Sequence, residues 1–219
     1  MILTHQSALF ATLAAGFRRK GVRGLMAEVC ILPGTDARLA VAGNFGVGGP
    51  ATAVVVEELA ASGAQGIVAI DTATALGEGL RPGAAVLVSG AIGRDGTSRR
   101  YLSRTASISV SEELAGRVAS SLADVDISFY AGLVWSDDAP FRRTAAEIEK
   151  YRAEGAALVD METAALLAAS RAAGVQAASL LVVADSLIEG EWQPPSDMRR
   201  VQDELRRVAM AVRSGLRRH

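Results

Sequence analysis

The chain has 219 residues, half of them hydrophobic, with Lys+Arg 23 against Asp+Glu 24 and a formal net charge of -1. That length allows one sizeable α/β core, and we expect a single domain over residues 1–219. The near-neutral balance gives no global electrostatic reason to expect nucleic acid or an anionic membrane as a partner. The single cysteine, Cys30, excludes a disulfide within the chain and lies in the apolar run Val29-Cys30-Ile31-Leu32, where it reads as a buried, inert thiol. No apolar run approaches the roughly 20 residues of a membrane span, and the N-terminus lacks the basic and apolar regions of a secretory signal. We therefore expect a cytoplasmic protein. Two histidines and one cysteine, widely scattered, do not suggest a metal site.

The first 35 residues read as one helix over 6–19 and an edge strand, with Arg18-Arg19-Lys20 as a solvated turn. From residue 38 onward, short β-rich runs alternate with helical patterns, as a sheet with crossover helices does. A strand over 38–42 leads through a Gly-rich loop to a helix over 51–62, with Pro50 at its first position and Gly63 just past its end. Strands over 66–71 and 84–92 follow. Ser111 and its two following glutamates open a helix, in keeping with capping and the helix dipole. Further on, the pattern gives strand 127–134, charged helix 144–154, strand 156–159, helix 162–173, strand 178–184 and a long helix from about residue 197. The arginines at 213, 217 and 218 read as its solvated end.

Three segments carry chemistry. In Val159-Asp160-Met161-Glu162-Thr163-Ala164-Ala165, a carboxylate sits where a strand hands over to a helix, a level at which α/β proteins bind small molecules. Asp185 leaves the strand 178–184 at its carboxyl end, so two acids can converge on one site. The loop Gly43-Asn44-Phe45-Gly46-Val47-Gly48-Gly49-Pro50 joins a strand to a helix, where glycines allow close backbone approach and the helix start offers N–H groups to an anion. With Ala51 it satisfies G-x-G-x-x-A, and Asp71 follows about 20 residues later, which imitates a dinucleotide fingerprint. A tight turn, a dinucleotide loop and the loop of a small-molecule phosphorylase are the three readings.

The surrounding text resembles the nucleoside phosphorylase superfamily, most of all its uridine-phosphorylase-like branch. The resemblance runs from about residue 38 to the C-terminal helix. It is carried by Gly46-Val47-Gly48-Gly49-Pro50 with Val56-Glu57-Glu58-Leu59 and Gly63; by Gly79-Leu80-Arg81-Pro82-Gly83; by Asp95-Gly96; and by Met161-Glu162-Thr163-Ala164-Ala165. It implies a three-layer α/β/α fold on a central twisted mixed sheet, cleavage of a nucleoside's N-glycosidic bond by phosphorolysis, and a homo-oligomer. It gives Met161 and Glu162 the ribose, Glu162 accepting from the 2′- and 3′-hydroxyls as a carboxylate is able to do. Asp185 takes the role of the acid that protonates a departing purine-like base, whose developing negative charge a proton donor stabilises. In the base-contacting segment Trp135 to Arg142, Phe141 could stack on the base, with Asp138 and Arg142 at its polar edges. Glu191-Trp192 would form a flap. Gly46, Gly48, Asp71 and Thr72 fall where phosphate or water would sit. No cofactor is implied beyond phosphate as co-substrate.

The phosphate site breaks the family pattern. Phosphorylases of this branch carry an Arg two residues before a Gly-Thr pair on the strand after the Gly-loop helix; here Ala69 stands for the Arg, Asp71 for the Gly, and Thr72 is kept. A guanidinium is hard to replace for phosphate, and an added carboxylate repels the anion. Three outcomes follow: phosphate held by Arg18, Arg19, Arg23 or a neighbouring subunit's Arg; hydrolysis, with Asp71 as base or water holder and Glu28 or Asp36 as a further acid; or nucleoside binding without turnover.

Overall fold

The computed structural model describes residues 1–17, 24–35, 38–102, 107–195 and 197–218. Among the described residues, ten strands form one mixed sheet. They are β1 Ile2–Leu3, β2 Glu28–Ile31, β3 Ala40–Gly43, β4 Gly66–Leu76, β5 Ala85–Gly93, β6 Ile108–Ser109, β7 Tyr130–Ser136, β8 Ala156–Asp160, β9 Gln176–Ile188 and β10 Glu191–Gln193. The principal helices are α1 Ser7–Leu13, α2 Gly49–Ala61, α3 Ser98–Tyr101, α4 Glu112–Ala123, α5 Ala145–Ala153, α6 Thr163–Ala172 and α7 Met198–Arg218. None of them is long and apolar enough to cross a membrane.

The mixed sheet with helices on both faces is the architecture expected from the resemblance, and it is more closed than an open twisted sheet. β9 pairs with β5 on one side and with β4 on the other, so β9, β5, β7, β8 and β4 complete a ring. β4 is parallel to β9 along its whole length, from Gly66 opposite Gln176 to Leu76 opposite Leu187. One core layer lies between the sheet and α2 with α6, through Val55, Val56, Leu59, Ala164, Leu166 and Leu167 against Ala69, Val86, Val134, Leu158 and Val183. The other lies under α1, α4 and α7, through Phe10, Leu13, Val118, Leu122, Leu205 and Val212 against Val41, Val68, Ile70, Leu180 and Val182. Strands buried on both faces are near-continuous in apolar residues, and β4 and β9 read that way.

The helix starts follow local chemistry. Ser111 accepts from the Leu114 N–H to cap α4, and Thr144 and Glu147 form a reciprocal capping box on α5. Helix 6–19 is shorter than its sequence pattern, ending at Leu13, and the edge strand of this region is β2. Strand 66–71 runs on to Leu76, and strand 178–184 to Ile188, where a turn at Glu189 and Gly190, both with positive φ, leads back into β10. Such a turn follows the natural twist of a two-stranded ribbon.

β1 and β8 pair along the same edge of β4, β1 in parallel at Val68 and Ala69, β8 antiparallel at Thr74 and Ala75. Between them, residues 70–73 of β4 have no strand on that edge. The chain leaves β1 into this gap as Thr4-His5-Gln6 and enters it from β8 as Asp160-Met161-Glu162.

Candidate active site

Asp71 occupies the gap, in the middle of β4 and not at a strand end as its sequence context suggested. It is buried and receives the Thr4 hydroxyl at 3.2 Å, the His5 backbone N–H at 3.2 Å and the His5 ring Nδ1 at 2.9 Å. The other ring nitrogen, Nε2, lies 2.8 Å from the Thr52 hydroxyl in the first turn of α2. Thr52 Oγ1 is also 2.9 Å from the Gly48 carbonyl. Phe45 of the Gly loop meets the imidazole edge-on at 4.8 Å between centroids. Gln6, next in the turn, donates to the Thr72 hydroxyl at 2.9 Å. The two strand positions assigned to phosphate or water are thus taken up by the turn after β1.

Glu162 closes the opposite side of the gap. It stands one residue before α6, and its carboxylate accepts the Gly48 N–H at 2.8 Å and the Met161 N–H at 3.1 Å. The Gly loop can aim that N–H because Gly46 and Gly48 have φ of 98° and 90°, a region in which side chains are strained. Gly49 is confined for a different reason, since a Cβ there would meet Asp95 Oδ1 at 3.1 Å and Ala165 Cβ at 3.3 Å. Each Glu162 oxygen keeps lone pairs beyond these bonds, as binding of two vicinal hydroxyls requires.

Asp160 lies beneath, buried, taking hydrogen bonds from Ser136 Oγ at 2.5 Å and from the Thr163 N–H at 3.1 Å. Burial raises its carboxyl above the usual carboxylate range against the pull of these donors. Burial, then the Asp160 charge, lift Glu162 to about 7, opposed by His5 and the Gly48 N–H. For His5, burial works against the imidazolium, but the Asp71 charge and hydrogen bond, aided by Glu162 and Asp160, outweigh it and raise its pKa. A cavity of about 10 Å³ lies among His5, Ala69, Asp71, Asp160, Glu162 and Ser179. That is room for one water.

Sequence reasoning named Met161, Glu162, Gly48, Asp71 and Thr72 here and missed His5, Thr52 and Asp160 as partners. A histidine just past a two-residue strand carries no periodic signal; only the pairing of β1 with β3 and β4 puts it beside Asp71. The remaining assignments stand apart from the cavity. Asp138 accepts the Gly96 N–H at 2.6 Å, Phe141 is 99% exposed and Arg142 projects to solvent. Asp185 lies inside β9, not beyond its end. One of its oxygens takes the Trp192 indole N–H at 2.8 Å, and the other, Oδ1, is buried with no hydrogen-bond partner among the described residues. Glu191 and Trp192, expected to form a flap, lie in the β10 arm of the hairpin. Glu28 belongs to edge strand β2, away from the gap. Arg18, Arg19, Arg23 and Asp36 lie outside the described residues. Among the described residues, no group of three or more His, Cys, Asp or Glu side chains is arranged to hold a metal ion.

The sequence profile of the Phosphorylase superfamily matches residues 12–217. A guanosine phosphorylase of Halorubrum lacusprofundi is 27% identical over 157 residues, 72% of this chain and 64% of that protein. A uridine phosphorylase of Thermococcus kodakarensis is 26% identical over 95 residues, 43% of this chain and 34% of that one. The chain thus spans less than two thirds of the length of either relative. Among solved structures, a purine nucleoside phosphorylase of Toxoplasma gondii aligns with a TM-score of 0.82 at 19% identity, covering 99% of this chain and 90% of the other. An AMP nucleosidase of Bacteroides thetaiotaomicron aligns at 0.77 and 20% identity, covering 99% and 87%. At these identities the structural likenesses establish the fold.

Proposed function

We infer, from the premise that this chain belongs to the phosphorylase superfamily, that it cleaves the N-glycosidic bond of a nucleoside and that water is the attacking group. The carrying observation is the His5–Asp71 pair beside Ala69, where a phosphate would need a free cation. The imidazole is already bound to the Asp71 carboxylate, which adds negative potential beside the cavity, so a dianion has little to bind there. A neutral nucleophile has no such penalty. Negative potential also favours the positive charge that develops on the sugar as the bond to the base breaks.

In this reading Glu162 holds the 2′- and 3′-hydroxyls and Met161 packs on the ribose. Asp185 protonates the departing base, with Trp192 holding one carboxylate oxygen and leaving Oδ1 for the base. That role favours a purine-like base. Phe141, Asp138 and Arg142 remain the proposed base contacts. The decisive measurement is release of free base from a nucleoside panel in phosphate-free and phosphate-containing buffer, carried out in ¹⁸O-labelled water. We expect phosphate-independent turnover with label on the anomeric carbon. Ribose 1-phosphate as the product would instead establish phosphorolysis, the reading that the name of the Halorubrum relative supports. Absence of any free base under both conditions would leave a nucleoside-binding protein. Self-association, implied by the resemblance, is part of the proposal, and sedimentation of the purified chain tests it.

A further inference from the structure

We propose that His5 is the positioning residue of the ribose clamp: its ring pins both flanks of the Gly loop to β4, which fixes the Gly48 N–H against Glu162 and sets the preference of the site for a vicinal diol. The inference rests on the reading above in which Glu162 holds the 2′- and 3′-hydroxyls, and it adds the residue that keeps Glu162 in place. It does not depend on what attacks the sugar.

The loop needs such a support. Residues 44–50 join β3 to α2, with Phe45, Gly48 and Gly49 buried and Asn44, Gly46, Val47 and Pro50 exposed. Gly46 and Gly48 stand at φ of 98° and 90°, and glycine loses more conformational freedom on ordering than any other residue. Yet the Gly48 N–H has to stay 2.8 Å from Glu162 Oε1. That bond and the one from the Met161 N–H to Oε2 at 3.1 Å set the direction in which the carboxylate faces. Bonds of this kind weaken steeply when misdirected.

His5 supplies the support from outside the loop. Before Gly48 in the chain, Phe45 meets the imidazole edge-on at 4.8 Å between centroids. After it, the Thr52 hydroxyl lies 2.8 Å from Nε2 and 2.9 Å from the Gly48 carbonyl, which also accepts the Thr52 N–H at 3.1 Å. The residue that bonds Glu162 therefore lies between two contacts to one ring. That ring is anchored on β4, where Asp71 bonds Nδ1 at 2.9 Å and accepts the His5 backbone N–H at 3.2 Å and the Thr4 hydroxyl at 3.2 Å. β4 is itself held along its length by β9.

Both ring nitrogens are thus committed to bracing, and the His5 side chain is only 6% exposed, so water competes for neither. The brace holds in either protonation state. With a neutral ring the Thr52 hydroxyl donates to Nε2. With the imidazolium, Nε2–H donates to Thr52 Oγ1 and the hydroxyl proton goes to the Gly48 carbonyl. A buried loop held in one conformation before the ligand arrives binds it without a further ordering cost.

The test measures equilibrium binding of formycin B and 2′,3′-dideoxyformycin B to the full chain and its variants by isothermal titration calorimetry. Both are C-nucleosides, whose base is joined to the sugar by a C–C bond, so binding is read without cleavage by water or phosphate. We expect the wild type to prefer the diol form by at least about tenfold, the size of a hydrogen bond to a charged group. Thr52→Val removes the hydroxyl and should weaken the diol form about three- to tenfold while changing the dideoxy form less than about twofold. Thr52→Ser, which keeps the hydroxyl, should restore most of the preference, and His5→Ala should act in the direction of Thr52→Val. In a Glu162→Gln background Thr52→Val should change the ratio no further, since both lie on one chain of contacts. If His5→Ala is not folded by circular dichroism, the two Thr52 variants decide. Equal weakening of both ligands by Thr52→Val would make the brace a matter of fold stability alone, and an unchanged ratio would mean that the loop holds itself. Either result overturns the assignment of His5 and leaves the ribose role of Glu162 intact. A wild type that binds both forms equally removes that role and the inference with it, and one that binds neither removes the nucleoside reading.

Discussion

At the scale of single residues, the site concentrates ionisable groups that water would prefer to solvate. Glu162 is held at about 7, chiefly by burial and then by Asp160. An unfolded Glu titrates near 4.3. Between those values the folded chain binds a proton the unfolded chain has lost, so this group's contribution to stability is full below the unfolded value and declines as pH rises toward 7. His5, also raised, works in the same sense, its contribution being lost as pH rises through its folded value. Melting temperature should therefore fall between pH 5 and 8, and Glu162→Gln should flatten the dependence while abolishing turnover. A melting profile equally steep in the variant would remove Glu162 as its source. Glu162 could be named from the sequence because its motif is contiguous. His5 could not, because its partners Thr52 and Asp71 are 47 and 66 positions away and the fold alone unites them.

At the scale of elements, helices with caps and amphipathic patterns were legible nearly to the residue, whereas strand ends were not. β4 and β9 outrun their apolar cores because each is the other's partner over its whole length, a long-range property that carries no local signal. The ends of helices and strands also determine where the structure is intolerant. In α7, Gly215 lies against α4 so closely that a Cβ would come 2.0 Å from Ser121 Oγ, 2.4 Å from its Cβ and 3.0 Å from its Cα. Alanine there gains helix propensity worth about 1 kcal/mol but collides with backbone as well as side chain, and overpacking of this kind costs about 1–3 kcal/mol. We expect Gly215→Ala to be destabilising on balance, whereas Gly116→Ala in α4, with open space around it, should stabilise. Paired denaturant titrations of the two variants check the contrast, and equal shifts of the same sign would refute it.

At the scale of the whole molecule, β9, β5, β7, β8 and β4 close a ring of paired strands. The N-terminal strand is clasped between β3 and β4, and the long C-terminal helix packs on α1 and α4 and on the sheet, so the earliest and latest described elements share one core layer. A site built in the gap between β1 and β8 exists only when both ends of that arrangement are in place. We therefore expect one cooperative transition, although the length would allow two domains. Two tryptophans make the test simple: Trp135 is buried in β7 and Trp192 is 60% exposed on the hairpin. In a Trp192→Phe variant the fluorescence reports Trp135 alone, and its midpoint in denaturant should coincide with that of far-ultraviolet circular dichroism and with loss of nucleoside binding. Separate midpoints would mean that the ring can survive without the segment bearing His5, and the site would then be a late and separable addition to the fold.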